Sequence, residues 1–303
     1  MNMKMLSGLL ISMRPSQWTK NSFIFAALIF SQKLFHWPLA LKSLAAFVLF
    51  CFLSGSVYLF NDLFDRAEDC NHPIKRHRPI ASGTLSVTAA IVAIVFLTTI
   101  CLVASYYLDF WFGVVASGYF VLNLLYTTRL KHWVIVDVMI IGIGFVLRAI
   151  AGAVVIGVVF SPWLVLCSFL LALFLALCKR RHELVLLSGE AAAHRKILSE
   201  YSPYFLDMMI TIVTASAIAS YAIYTMSEET FRKFQTRNLL YTIVFVIYGI
   251  FRYLYLIHQK KEGGNPSRVL LTDLPLQVAI FLWILTATLV IYKSGYAMSH
   301  LMH

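Results

Sequence analysis

Residues 42–69 read KSLAAFVLFCFLSGSVYLFNDLFDRAED, an apolar run that ends in a cluster of acids. The apolar part, residues 42–60, approaches the roughly 20 residues that a helix needs to cross a bilayer. On a helix that continued through the acids, Asp62, Asp65 and Asp69 would lie within roughly 60° of one another. The stretch therefore predicts a membrane-spanning helix with three carboxylates at its end.

The composition extends this interpretation to the whole chain of 303 residues. Hydrophobic residues make up 60% and charged residues 13%, against roughly 25% charged residues in a soluble domain, and the mean hydropathy is +0.79. Strand-like alternation is absent, so we expect an all-α, polytopic membrane protein with one transmembrane domain over residues 1–303. The apolar segments predict about nine spans, near residues 21–37, 42–60, 87–107, 110–126, 133–157, 161–178, 205–226, 238–257 and 275–293.

Lysine and arginine residues are unevenly distributed between the predicted loops. Most of them lie on the side of the N-terminus, in four polar segments: residues 61–86, 127–132, 179–204 and 258–274. Because cytoplasmic loops carry an excess of these residues, we expect a cytoplasmic N-terminus, a location in the cell membrane and an active-site cavity on the inner face. The net charge of +11 mostly reflects this bias and does not indicate nucleic-acid binding. Membrane lipids are expected partners, and the sequence leaves homo-oligomer formation open.

The three aspartates predict a metal site. Like charges so close together repel one another unless a cation lies between them. Mg²⁺ prefers hard carboxylate oxygens, combined with water and substrate phosphates. We therefore expect Asp62, Asp65 and Asp69 to bind Mg²⁺ beside a diphosphate; the alternative is a solvated acidic helix end.

Two basic clusters are candidate phosphate clamps. Lys75, Arg76 and Arg78 follow the acidic motif, and Lys179 and Arg180 open the third polar loop. Such side chains grip phosphate oxygens through charge-assisted hydrogen bonds. Each cluster also has a structural explanation, the first as a positive-inside loop and the second as a helix end whose dipole favours cations.

A further group of candidates flanks the predicted span at 133–157. Tyr126 and Lys131 precede it, Asp137 lies one turn into it, and Arg148 lies deeper. Asp137 and Arg148 would share a helix face about 16 Å apart, too far for a direct pair. Arg148 therefore needs another anion, from protein or substrate, or carbonyl groups of neighbouring helices. The span also carries three glycines that predict close helix packing, namely Gly142, Gly144 and Gly152.

Linked motifs over almost the whole chain resemble the UbiA superfamily of intramembrane prenyltransferases, and within it the decaprenyl-phosphate phosphoribosyltransferase branch. The motifs are RPSQWTKN (14–21), NDLFDRAED (61–69), KRHRPIASG (75–83), GFVLRAIAG (144–152), KRRHEL (179–184), RY (252–253), GG (263–264), Pro266 and Asp273. Superfamily members that act on aromatic acceptors have a second aspartate-rich motif, where this chain has Lys179, Arg180 and Arg181. A cationic loop suits a substrate that carries an additional phosphate.

The resemblance implies transfer of a 5-phosphoribosyl group from phosphoribosyl pyrophosphate to a polyprenyl phosphate, with release of pyrophosphate, in cell-envelope biosynthesis. The aspartate motif would hold Mg²⁺ on the leaving diphosphate, oriented by Asn61 and assisted by the first basic cluster. Asp137 would stabilise the cationic sugar or hold Tyr126 or Lys131. The 5-phosphate and the lipid phosphate would share four cations that the sequence does not divide between them: Lys20, Lys131, Lys179 and Arg180.

Two other functions stay open at this point. One is an aromatic prenyltransferase of quinone or haem biosynthesis, with the same fold and metal. The other is a carrier that moves a phosphorylated lipid through the same cationic pockets without chemistry.

Overall fold

The computed structural model describes residues 3–73, 75–159, 161–186, 200–260 and 266–301, and the regular structure in these ranges is entirely helical. This confirms the predicted all-α class. The α-helices in chain order are α1 (Met3–Ser12), α2 (Ile24–Phe30), α3 (Trp37–Phe64), α4 (Arg66–Asn71), α5 (Val87–Leu108), α6 (Phe110–Thr128), α7 (Val136–Val155), α8 (Pro162–Leu186), α9 (Pro203–Met226), α10 (Glu228–Phe234), α11 (Ile243–His258), α12 (Pro266–Thr272) and α13 (Leu274–Leu301). Shorter 3₁₀ segments are Pro15–Phe23, Lys75–His77, Leu130–His132 and Asn238–Thr242.

Eight helices in the described ranges are long and apolar enough to cross a membrane. They correspond to all the predicted spans except the first. The predicted span 21–37 is instead the 3₁₀ segment Pro15–Phe23 followed by α2, which has only 7 residues. A continuous spanning helix was the wrong expectation here, because the polar residues of PSQWTKNSF turn into the protein, and Asn21 is fully buried.

Short polar caps make the turns between neighbouring spans tight. The side chain of Asp109 accepts a hydrogen bond from the backbone N–H of Phe112 at 2.8 Å, which satisfies a free donor in the first turn of α6. Ser86 and Ser202 cap α5 and α9 in the same way. The chain therefore reverses between α5 and α6 at a single residue.

Two glycines of α7 allow close helix packing, as predicted. A methyl group on Gly152 would lie 2.0 Å from the carbonyl oxygen of Ile24 in α2, and one on Gly142 would lie 2.8 Å from the ring of Phe169 in α8. Gly144 has more space, since its nearest neighbour would lie at 3.5 Å. The absence of a side chain at Gly152 brings the backbone of α2 directly against α7.

Two apolar cores lie on either side of a central cavity. One core joins α2, α3, α6 and α7 around Phe50 and Phe112, and the other joins α8, α9 and α11 around Phe174 and Leu206. The cavity has a volume of about 2090 Å³ and is lined by residues from both. We call the end of the bundle where α3 finishes and α7 begins the motif end.

The first and last parts of the chain close the bundle. At the motif end, the hydroxyl of Ser267 in α12 lies 3.1 Å from the Gln17 side-chain oxygen. At the other end, the Gln32 side chain donates to the backbone carbonyl of Ile291, and the hydroxyl of Tyr292 accepts from the backbone N–H of Leu34. Contacts at both ends thus fix the N-terminal segment against the C-terminal helices.

Candidate active site at the motif end

The cavity changes character along its length. Near the motif end its wall includes several charged and amide side chains: Asn61, Asp65, Asp69, Lys75, Arg78 and Lys131. Farther in, Lys20 and Arg148 reach it, and toward the opposite end it is lined by aromatic side chains that include Phe30, Trp163 and Trp283. One continuous space therefore joins a polar chamber to an apolar one.

The acidic motif lies on two helices. Helix α3 ends at Phe64, Asp65 forms the junction, and α4 begins at Arg66. The predicted continuous helix through all three aspartates is therefore wrong in detail, although the backbone N–H groups of Asp65 and Asp69 still bond to carbonyls four residues back, at 2.9 Å each. The break at Asp65 directs this aspartate differently from the other two.

Asp62 and Asp69 share one cation. The Arg78 Nη1 atom donates to Asp69 Oδ2 at 2.7 Å and lies 3.1 Å from Asp62 Oδ1. Arg14 Nη2 donates to the same Asp62 oxygen at 2.5 Å. Both carboxylates are only 2% exposed, and buried charges of this kind need such partners.

Asp65 has its own cation, Lys131. The Lys131 ammonium donates to Asp65 Oδ1 and lies 5.1 Å from the ring centroid of Phe64. Lys131 belongs to the 3₁₀ turn before α7 and is 7% exposed. Nearby, the hydroxyl of Thr127 donates to Asn61 Oδ1 at 3.3 Å. The loop before α7 is thus joined to the acidic motif by side chains.

The described residues contain no group of three His, Cys, Asp or Glu side chains close enough to hold one metal ion. Arg78 bridges Asp62 and Asp69, and Lys131 pairs with Asp65, so the binding of one metal ion by all three aspartates stays a prediction. The remaining donors still fit Mg²⁺, which takes one or two carboxylates together with waters and substrate phosphates. Asn61, Asp65 and Asp69 line the cavity, whereas Asp62 lies behind its wall.

A second buried network surrounds Asp137, which is fully buried and does not line the cavity. Arg180 Nε donates to Asp137 Oδ2 at 2.8 Å, and Arg180 also reaches Glu183 at 2.7 Å and the hydroxyl of Tyr126 at 3.4 Å. Tyr201 donates to the other Asp137 oxygen at 2.9 Å. Asp137 therefore holds Arg180 and Tyr201, and not Tyr126 or Lys131 as the sequence suggested.

Tyr201 also holds a strained turn. Its hydroxyl accepts the backbone N–H of Ile135 at 2.6 Å, and Ile135 has φ 68°, a rare conformation for a β-branched residue. Burial raises the pKa of Tyr201 to about 12, so that its hydroxyl stays protonated and donates to Asp137. Strain of this kind persists only where the surroundings enforce it, and the turn lies between Lys131 and Asp137.

Arg148 lies deeper and has no carboxylate partner in the described structure. Its guanidinium donates to Asn21 Oδ1 at 2.8 Å, to the Gly144 carbonyl at 2.7 Å and to the hydroxyl of Tyr119 at 2.7 Å. The predicted separation from Asp137 holds. Neighbouring Lys20 faces the cavity and lacks any hydrogen-bonding partner among the described residues. Burial and the guanidiniums of Arg148 and Arg14 lower the pKa of Lys20 to about 7.

The other predicted cations differ in their access to the cavity. Lys75 and Lys179 line it, and Lys179 lies 3.6 Å from Glu183. Arg76 is exposed, donates to His77 and lies outside the cavity lining. Arg180 also lies behind the wall, held by Asp137. Gly263 and Gly264 lie outside the described residues.

Sequence reasoning assigned no role to two residues that the structure places in the site. Arg14 could have been proposed as a site residue from its charge alone. Its position in the sequence gives no sign that it pairs with Asp62. Tyr201 lies between α8 and α9, far from Asp137 along the chain. Both act through contacts between distant segments, which one sequence does not reveal.

The structure has an acidic motif and basic side chains at one end of a cavity within a helical bundle. This arrangement is consistent with the family that the sequence motifs indicate. Residues 22–285 match the UbiA prenyltransferase family, and the chain belongs to this family. It is a multi-pass membrane protein by this membership and by its eight apolar helices.

Within the family, the chain is similar to two proteins named decaprenyl-phosphate phosphoribosyltransferase. The relative from Mycolicibacterium smegmatis is 31% identical, over 96% of this chain and 94% of the relative. The one from Corynebacterium glutamicum is 32% identical, over 94% and 87%. The fold is similar to that of a UbiA homologue from Archaeoglobus fulgidus bound to GPP and Mg²⁺, with a TM-score of 0.70, 18% identity and coverage of 94% of this chain and 99% of that one.

Proposed function

We propose that this protein is a membrane enzyme that transfers the 5-phosphoribosyl group of phosphoribosyl pyrophosphate to a polyprenyl phosphate. An oxygen of the lipid phosphate forms a bond to the anomeric carbon, and the bond from that carbon to the pyrophosphate oxygen breaks. The bonding electron pair leaves with pyrophosphate. The similarity to decaprenyl-phosphate phosphoribosyltransferases over nearly the whole chain supports this assignment.

The observation that carries the proposal is the joining of a charged chamber to an apolar one in a single cavity. A donor with several phosphates needs the first chamber, and a polyprenyl tail needs the second. Because the acceptor phosphate is already anionic at neutral pH, no strong general base is required. Positioning of the two substrates and stabilisation of the leaving group then provide most of the rate.

The leaving diphosphate would bind at the acidic motif. Asn61, Asp65 and Asp69 would hold Mg²⁺ there, with Asp62 behind them neutralised by Arg14. The ion, when bound, supplies a Lewis acid that stabilises negative charge on the departing pyrophosphate. Arg78 and Lys131, which pair with the motif carboxylates, would turn toward phosphate oxygens when the donor binds.

Asp137 would act by positioning and not by touching the sugar. It is fully buried behind the cavity wall and holds Arg180 and Tyr201. Through them it supports Tyr126 and the strained turn after Lys131. The excess of lysine and arginine at this end of the bundle supports a location at the cytoplasmic face of the cell membrane, where a soluble phosphorylated donor would be available.

The test uses purified protein in nanodiscs with phosphoribosyl pyrophosphate labelled in its diphosphate. We expect release of labelled pyrophosphate that requires both a polyprenyl phosphate and Mg²⁺. Prenylation of an aromatic acid from a prenyl diphosphate would show that the donor assignment is wrong. Transport of lipid phosphate across vesicles that survives replacement of the motif aspartates by alanine would show that the protein is a carrier.

A further inference from the structure

Most cations near the acidic motif are already compensated in the structure. Arg14, Arg78 and Lys131 each lie against a motif carboxylate. Lys20 and Arg148 differ, because neither has a carboxylate within ion-pair distance among the described residues. The wall of the cavity between its charged and apolar chambers therefore carries positive charge that the described protein does not balance.

Arg148 is held firmly in this position, and not all of its N–H donors are used. Arg148 is only 6% exposed. Its guanidinium donates to neutral acceptors on Asn21, Gly144 and Tyr119. A guanidinium has five N–H donors; these contacts use three, and the other two have no acceptor in the described parts of the chain. Uncompensated charge buried in a membrane protein is a functional site by default.

The buried support of Arg148 is itself well connected. The Asn21 side-chain amide donates hydrogen bonds to Ser54 Oγ at 3.2 Å and to Cys51 Sγ at 3.3 Å. The guanidinium also lies 4.7 Å from the ring centroid of Tyr119 and 5.3 Å from that of Phe145. These contacts fix its direction while leaving its charge unneutralised, which is the arrangement that preorganises a site for an anion.

Lys20 lies next to Asn21, the residue whose side-chain oxygen accepts from Arg148 Nε. Lys20 faces the same cavity as Arg148, and its ammonium is disfavoured by burial and by the positive charges of Arg148 and Arg14. Two cations that repel each other across a cavity wall bind an anion placed between them more strongly than either does alone. Among the described residues, neither Lys20 nor Arg148 has a carboxylate within ion-pair distance that could bring a metal ion to this place.

We propose that Lys20 and Arg148 form a metal-independent site for a phosphate monoester, and that the phosphate is the head group of the polyprenyl acceptor. The inference rests on the proposed function and deepens it. The apolar chamber that begins beyond Phe145 and includes Trp163 and Trp283 would take the chain attached to that phosphate. The acidic motif, with its paired cations, is then left to the diphosphate of the donor.

The test measures binding without turnover. Farnesyl phosphate serves as the probe, in nanodiscs with a chelator present, and farnesol serves as the matched probe without phosphate. Lys20→Met removes the charge and breaks no hydrogen bond, so the protein should fold normally. We expect at least a tenfold loss of farnesyl phosphate affinity, with farnesol and Mg²⁺-dependent phosphoribosyl pyrophosphate binding changed less than twofold.

The control is Lys33→Met, which removes a lysine outside the cavity lining and should leave all three affinities unchanged. Lys20→Arg should restore most of the farnesyl phosphate affinity. If Lys20→Met instead weakens phosphoribosyl pyrophosphate binding, the pair holds the donor 5-phosphate and the lipid assignment is wrong. If farnesyl phosphate binding needs Mg²⁺, or is equal in Lys20→Met and wild type, the site itself is refuted.

The outcome can be separated from that of the proposed function. A protein that binds farnesyl phosphate through Lys20 but releases no pyrophosphate would keep this site and contradict the reaction. A protein that makes the phosphoribosyl lipid with unchanged acceptor KM in Lys20→Met would keep the reaction and contradict this site.

Discussion

The buried pair of Arg180 and Asp137 allows a sharp test of what Arg180 does. The Arg180 side chain is 3% exposed and that of Asp137 is 0% exposed, with 2.8 Å between Nε and Oδ2. Arg180→Met would leave the Asp137 carboxylate with one side-chain donor among the described residues, Tyr201. Breaking a buried pair by removing one partner destabilises by about 3–5 kcal/mol, and we expect a loss of that size in the free energy of unfolding.

Two further variants make the comparison quantitative. Arg181→Met removes the neighbouring arginine, whose pair with Asp207 is 17% and 37% exposed, and should cost about 1 kcal/mol or less. Asp137→Asn combined with Arg180→Met removes the unpaired charge, and the double variant should recover about 2 kcal/mol relative to Arg180→Met alone. Unfolding by SDS in mixed micelles measures wild type, these variants and the single Asp137→Asn variant under the same conditions.

A different result would assign Arg180 to substrate. If Arg180→Met unfolds like wild type but loses phosphoribosyl pyrophosphate affinity, Arg180 is a phosphate clamp, as its sequence position suggested. If the effects of Arg180→Met and Asp137→Asn simply add, the two side chains do not depend on each other and the buried-pair argument fails.

Three other expectations follow from the described contacts. Asp65→Asn should lower turnover at least a hundredfold while the melting temperature changes little, because this aspartate faces the cavity; loss of folded protein would show a structural role. Gly152→Ala should destabilise strongly, since its new methyl group would lie 2.0 Å from the Ile24 carbonyl oxygen, whereas Gly118→Ala has open space; equal melting temperatures would contradict the packing. Tyr201→Phe should lower kcat more than it raises KM by releasing the strained turn; an effect confined to stability would exclude a positioning role.

Most of the fold was predictable from the sequence because each membrane-spanning helix is encoded by a long, continuous run of apolar residues. Eight of the expected apolar spans appear as helices at the expected positions, although some are longer than predicted. The failure at residues 21–37 came from averaging hydrophobicity over a segment that begins with Asn21, whose side chain turns inward to meet Arg148. A hydropathy average does not register a polar side chain that finds a partner on another helix.

The site was predictable in its residue types and less so in its geometry. Asp65, Asp69, Lys75 and Lys131 line the cavity, and their roles in binding stay predictions. The helix break at Asp65 was not predictable, because NDLFDRAED contains neither Gly nor Pro. The pairing of Arg180 with Asp137, like that of Arg14 with Asp62, depends on how distant helices pack, which residue spacing does not encode.

The contacts of the N-terminal segment with distant helices set an order for biosynthesis. Gln17 contacts Ser267 and Gln32 contacts Ile291, which are synthesised 250 and 259 residues later. Until those residues emerge from the ribosome, the segment that carries Arg14 and Lys20 lacks these contacts. A nascent chain halted before α12 would therefore hold its acidic motif in a cavity that is still open on that side.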